Sequence, residues 1–145
     1  MIVLMRHGEA ESRAPSDAQR PLSVRGRDQV AESIEWILKQ GIALDTLIAS
    51  PYLRAQQSAQ IARESFDLPI QTLSEVQPES DMREAEKALQ DRGCALVCFH
   101  QPLISKLVLR WSGQIEPAST GAVFVLQGEL LAPDWMSLQA SFCPN

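Results

Sequence analysis

The sequence has only two histidines and three cysteines. Nor does any apolar run approach the ~18 residues of a membrane span. The N-terminal apolar stretch is too short for a signal-peptide core and has no basic residue ahead of it, so a cytoplasmic protein is expected. Cys94 and Cys98, placed in one strand, would lie about 13 Å apart, too far for a disulfide. None of the three cysteines has enough neighbouring ligands for zinc. Cys94, Cys98 and Cys143 therefore read as reduced packing thiols. Basic residues are also few: 13 Lys and Arg stand against 18 Asp and Glu, a net charge of −5. Such a body disfavours nucleic acid and anionic membrane as partners, and any cationic site on it must be local. There is no internal repeat, linker or low-complexity tract. The 145 residues read as one domain, 1–145, with its own core.

What is present alternates between strand and helix. Met1-Ile2-Val3-Leu4-Met5 is a continuous apolar run, as in a strand buried on both faces of a parallel sheet. Glu9 to Leu22 is a long polar loop with Pro15, Pro21, Ser12, Ser16 and Asp17, placed to border whatever lies at the end of that strand. Ser23 is a suitable N-cap for a helix to about Gln40, with Val30, Ile34, Ile37 and Leu38 on its apolar face and Gly41 at its end. A strand over Leu44–Ala49 leads to Ser50-Pro51, read as an N-cap and first helical residue. The helix from Pro51 to about Ser65 puts Ala55, Ala59 and Ala62 on one side. A short strand near Ile70–Leu73 follows, then a polar, charged stretch from Ser74 to Gly93 that reads as a solvated face with a weak stripe of Met82, Ala85 and Leu89. Cys94–Phe99 is the clearest later strand. Leu103, Leu107, Val108 and Trp111 mark a helix to Gly113, and strands are expected at Ala122–Leu126 and around Leu130–Ala132. This order predicts a three-layer α/β/α sandwich, its sheet mostly parallel with a terminal strand pair.

In such sheets ligands bind beyond the carboxyl ends of the strands. Both histidines occur there: His7, between Arg6 and Gly8, and His100, before Gln101-Pro102. A histidine at a strand end is more often structural than catalytic, but here both take that position. Arg54, one turn into a helix that starts at the same rim, adds a second guanidinium near a helix N-terminus that itself favours anions. Arg clamps phosphate bidentately, His serves as a nucleophile, and Gly lets the backbone come close.

Four pieces carry a resemblance: Leu4-Met5-Arg6-His7-Gly8-Glu9-Ala10; Arg20-Pro21-Leu22-Ser23 with Gly26; Ser50-Pro51-Tyr52-Leu53-Arg54-Ala55-Gln56-Gln57-Ser58-Ala59; and His100-Gln101-Pro102-Leu103. In this order they resemble the histidine phosphatase superfamily, the phosphoglycerate-mutase-like proteins with an Arg-His-Gly (RHG) motif. Within it the chain looks most like the SixA group, the short phosphohistidine phosphatases of bacteria. The resemblance implies that His7 is the nucleophile that takes the phosphoryl group, that Arg6 and Arg54 bind its oxygens, and that His100 completes the pocket. Arg20 would contribute from the loop. Neighbouring guanidiniums disfavour protonation of His7 by like-charge repulsion, and a backbone carbonyl would fix its tautomer. No metal or other cofactor is implied.

Relatives that cleave esters carry a carboxylate to protonate the leaving oxygen. By position Glu79 is the candidate, with Glu75 and Asp81 behind it, although Gln77 stands where the family has Leu. A polar loop with surface carboxylates is the other reading. Phe99, before His100, replaces a small residue and is expected to alter packing. No segment remains for a large cap, and an open site admits a side chain displayed on another protein. The substrate expected is phosphohistidine on a protein, such as a phosphotransfer domain of a signalling relay. The alternatives are a small phosphate ester and a non-catalytic phosphate-binding module. A monomer is expected.

Overall fold

In the computed structural model, which describes residues 1–145, the apolar runs become β1 (Ile2–Arg6), β2 (Thr46–Ala49), β3 (Ile70–Thr72), β4 (Ala95–Phe99) and β5 (Val123–Gln127). A final strand, β6, spans Ser137–Phe142. The helices are α1 (Val24–Lys39), α2 (Leu53–Phe66), α3 (Met82–Leu89) and α4 (Leu103–Ser112). One sheet of order β3-β2-β4-β1-β5-β6 contains every strand. The first four in that order run parallel, β5 is antiparallel to β1, and β6 is antiparallel to β5.

Alternation along the strands sends side chains to two separate cores. Val3, Met5, Leu47, Leu96 and Cys98 pack with Val30, Ile34 and Ile37 of α1 and Ala59 and Ala62 of α2. On the other face Leu4, Ile48, Val97 and Phe99 pack with Ala85 and Leu89 of α3 and Leu103, Leu107 and Trp111 of α4. The expected three layers are therefore present. Phe99 has no accessible surface and belongs to this second core, so its unusual size is spent on packing.

Register brings the strand ends together. Arg6 is opposite Phe99, and Ala49 is opposite Cys98. His7, His100 and Ser50 are thus the residues that follow three neighbouring strands, tied by His7 N–H to the Phe99 carbonyl at 3.1 Å and Ser50 N–H to the Cys98 carbonyl at 3.1 Å.

Several expectations need correction. Residues 130–132 form no strand; Leu131 tucks inward while its carbonyl accepts from Gln90 Nε2 at 2.7 Å. The true last strand, Ser-Leu-Gln-Ala-Ser-Phe, is an edge strand without an apolar run, and it is held by pairing with β5. Leu38 is half exposed, whereas Val30, Ile34 and Ile37 are buried as expected. The α2 helix begins at Leu53 with Tyr52 as its N-cap, so Ser50-Pro51 precedes the helix instead of opening it. Cys98 is buried but Cys143 is exposed, and all three thiols are free. The charged stretch is not wholly solvated either. Glu86 receives Arg110 Nε at 2.6 Å and the Trp111 indole N–H at 2.9 Å, which pins α3 to α4. Ser23 does cap α1, its Oγ accepting from Gly26 N–H at 3.0 Å.

Candidate active site

The loop after β1 can lie against α1 because two glycines meet there. A Cβ on Gly8 would overlap the Gly26 carbonyl, and one on Gly26 would overlap the Glu9 carbonyl. Loop 9–22 then closes on itself, Glu11 N–H meeting the Pro21 carbonyl at 2.8 Å. Gln57 Oε1 accepts from Leu22 N–H at 2.7 Å, and Gln29 Oε1 accepts from Glu9 N–H at 2.9 Å. Two amide side chains thus fasten the loop to the helices on either side of it.

His7 is buried and anchored. Its Nδ1 is 2.6 Å from the Gly8 carbonyl, which can only accept, so the proton is on Nδ1. Nε2 is left with its lone pair outward, where Arg54 Nε donates to it at 3.3 Å. His100 is almost fully buried beside it, with ring centroids 5.1 Å apart. Arg6 gives one N–H to the Ala118 carbonyl at 2.9 Å. Arg54 gives two to Asp17, at 2.7 Å to its carbonyl and 3.2 Å to its carboxylate. Tyr52 braces both partners: its ring centroid is 5.1 Å from that of His100 and 4.9 Å from the Arg54 Cζ. Two buried side-chain nitrogens, Arg6 Nε and His100 Nδ1, have no protein partner.

Both rings are held neutral. Burial is the largest cause for His7, pushing it down to about 4; the Gly8 carbonyl opposes this, and Arg54, Arg6 and Arg20 reinforce it. His100 is pushed down to about 3, again by burial first, then by His7 and Arg54. Repulsion by guanidiniums, the cause expected from the sequence, is therefore second to desolvation. Burial and Arg54 also lower Arg6. A hydrogen bond from Arg20, with help from Arg54, holds the Asp17 carboxyl below the usual range. A neutral imidazole lone pair facing fixed positive charge is an arrangement for receiving a phosphoryl group.

The structure brings Arg6, His7, Arg54 and His100 together. Arg20 stands one residue back, at 3.0 Å from Asp17 and 2.8 Å from the Glu11 carbonyl, so it reaches the pocket through Asp17. Glu79 is exposed and lines a surface cleft with Pro78, Ser80, Pro102, Leu103 and Lys106, apart from the convergent four. Asp81 is committed elsewhere, capping α3 by accepting from Arg83 and Glu84 N–H at 2.9 and 3.1 Å. Glu75 lines a different cleft with Glu84, Lys87 and Arg92. No cluster of His, Cys, Asp or Glu is arranged to hold a metal ion. Asp17, Ser50 and Tyr52 were not singled out from the sequence for the site. Asp17 precedes Arg20 by three residues, the spacing of a turn, and that was the available signal.

Residues 2–91 match the family model of the histidine phosphatase superfamily (branch 1). The chain is 32% identical over 130 residues to the phosphohistidine phosphatase SixA of Escherichia coli, covering 85% of this chain and 78% of that one. It is also 32% identical over 133 residues to a phosphohistidine phosphatase SixA homolog of Haemophilus influenzae, with 81% and 80% covered. A solved structure of the protein histidine phosphatase SixA complexed with tungstate superposes with a TM-score of 0.89 at 27% identity, over 99% of this chain and 96% of that one. Likeness of this extent, in sequence and in fold, makes the chain a member of the histidine phosphatase superfamily.

Proposed function

We propose that the protein is a metal-independent phosphatase that works through a phosphohistidine at His7 and removes the phosphoryl group from phosphohistidine on another protein. The observation that carries this is the His7 ring, its Nδ1 proton tied to the Gly8 carbonyl and its Nε2 lone pair met by Arg54 Nε, with His100 beside it and a buried Arg6 Nε left without a partner. Attack by Nε2 forms an N–P bond as the substrate's own N–P bond breaks. The arginines meet the charge on the equatorial oxygens. The leaving imidazole departs neutral, because its distal nitrogen already bears a proton. Water then attacks phosphorus, breaks the bond to His7 and releases phosphate.

The leaving group favours this substrate over an ester. An alkoxide needs a proton from a general acid, and Glu79 is exposed, in a surface cleft whose lining includes none of Arg6, His7, Arg54 and His100. The small-ester reading therefore ranks second. We take residues 1–145 as one domain, acting as a cytoplasmic monomer in a signalling relay and binding neither nucleic acid nor membrane; no helix is long and apolar enough to cross a bilayer.

Incubation with a radiolabelled phosphohistidine protein, followed by an alkaline quench, tests the reading. Label is expected in the peptide containing His7, and turnover is expected to exceed that of an alkyl phosphate. Absence of label on His7 in an active enzyme would overturn the mechanism. Faster alkyl-phosphate hydrolysis would overturn the substrate.

A further inference from the structure

Ser50 follows β2 and has no accessible surface. Its hydroxyl has two partners: Tyr52 donates its backbone N–H to Oγ at 3.2 Å, and His100 Nε2 lies 2.8 Å away. A hydroxyl has one proton to give. An amide N–H cannot accept it, so His100 Nε2 is the one acceptor within reach. Were the ring instead to donate from Nε2, the serine proton would be stranded in a dry place. Nδ1 would then be a buried lone pair with nothing to meet it. With Ser50 as donor, a single atom of the pair is left over, the proton on Nδ1, and a buried N–H of Arg6 is likewise unmet. Two spare donors and no spare acceptor suit an anion.

We propose that Ser50 is a positioning residue: by donating to Nε2 it holds His100 as the Nδ1–H tautomer, so that the ring presents a donor and not a lone pair to the phosphoryl oxygens. An unconstrained histidine side chain prefers its proton on Nε2, so Ser50 acts against the ring's own preference. Without the hydroxyl the proton moves, and Nδ1 turns a repelling lone pair toward the anion. Tyr52 assists, since its amide occupies a serine lone pair and its ring packs against the imidazole at a steep 69° angle. The consequence for rate rests on the phosphatase reading, whereas the tautomer belongs to the unliganded protein.

The test is nitrogen NMR of the uniformly ¹⁵N-labelled full chain at neutral pH, with His7→Ala used to assign the His100 signals. His100 is expected to carry its proton on Nδ1 in the wild type and on Nε2 in Ser50→Ala, with the His7 tautomer unchanged. In the same variant kcat is expected to fall about 10- to 100-fold, part of what loss of one oxyanion donor costs. KM should change less, and inhibition by vanadate should weaken. Ser50→Thr, which keeps the hydroxyl, should restore both tautomer and rate. A wild-type His100 protonated on Nε2 overturns the proposal, as does a Ser50→Ala protein with unaltered tautomer and kcat. If Ser50→Ala does not fold, the wild-type spectrum alone decides. An Nδ1–H signal in a protein without phosphatase activity would defeat the function proposed above and leave this assignment standing.

Discussion

The two strand-to-loop junctions that carry the histidines start out alike and end in opposite chemistry. Both follow central, parallel, fully paired strands, and both rings are buried and neutral. After β1 the chain can turn tightly because Gly8 has no side chain, and the Gly8 carbonyl takes the Nδ1 proton of His7. After β4 it enters α4 through Gln101-Pro102, and a side chain from a third strand, Ser50, binds the other nitrogen. One ring is therefore a lone pair met by Arg54, and its neighbour, on the proposed tautomer, is a buried proton without a protein partner. In the proposed mechanism, which nitrogen is anchored, more than where the ring sits, decides which histidine attacks and which one assists.

Removing the first ring should have the largest effect. His7→Ala is predicted to cut kcat/KM by at least about 10⁴-fold, as loss of a nucleophile does, with the fold retained. Stopped-assay kinetics beside circular dichroism would check this, and undiminished turnover in a folded variant would end the assignment. Removing the second should cost less, because His100 donates and does not react. For His100→Ala we predict a fall in kcat on the order of 10²- to 10³-fold. Label should still accumulate on His7, more slowly. If the two variants are equally dead and neither is labelled, the division of labour between the rings is wrong.

Much of this is legible in the sequence, for a reason specific to the fold. A parallel sheet writes its strands as apolar runs, and the residue after each run is at the rim, so His7, His100 and the Ser50 junction could be read directly. Arg54 was legible through helix position. What the sequence could not convey is which partner each polar atom finds. Asp17 in loop 9–22 reaches Arg54 through a chain reversal that no periodicity signals. The hydroxyl of Ser50 read as a helix cap, because a serine before proline at a strand end looks the same in sequence whether it caps or binds a ring across the sheet. The strand Ser137–Phe142 has no apolar run, only a strict polar–apolar alternation over six residues that ends at Phe142, a half-buried edge pattern that a search for continuous apolar runs passes over. Glu79 matched the family acid by position, yet a carboxylate in a polar loop can face anywhere.

The shared neutrality of the rings predicts a pH dependence of stability. Both have folded pKa values below the ordinary 6.5, at about 4 for His7 and about 3 for His100. Below 6.5 the unfolded chain takes up protons that the folded one refuses. Their contribution is thus present in full above about 6.5 and is lost as pH falls through about 4 and then about 3. Urea midpoints measured from pH 8 downward should hold steady and then drop from pH 6.5 toward 4. The drop should be shallower in His100→Ala, which has one such group fewer. A flat profile down to pH 4 would mean that neither ring resists protonation in the folded protein.

The smallest effect expected separates the two substrates. If Glu79 served as general acid, Glu79→Gln would cost 10²-fold or more, but on alkyl phosphates alone, since an imidazole leaves without help. Exposed, and in a cleft whose lining includes none of Arg6, His7, Arg54 and His100, Glu79 is predicted to matter to neither, with turnover of both a phosphohistidine protein and an alkyl phosphate staying within about twofold, as for a surface residue. Measuring the ratio of the two rates in wild type and variant removes any general loss of enzyme from the comparison. A ratio shifted a hundredfold against the alkyl phosphate would bring Glu79 into the chemistry, and the site would then be built for esters as much as for phosphohistidine. An unchanged ratio leaves a hollow rich in donors and without an acid, which suits a leaving group that takes its own proton with it.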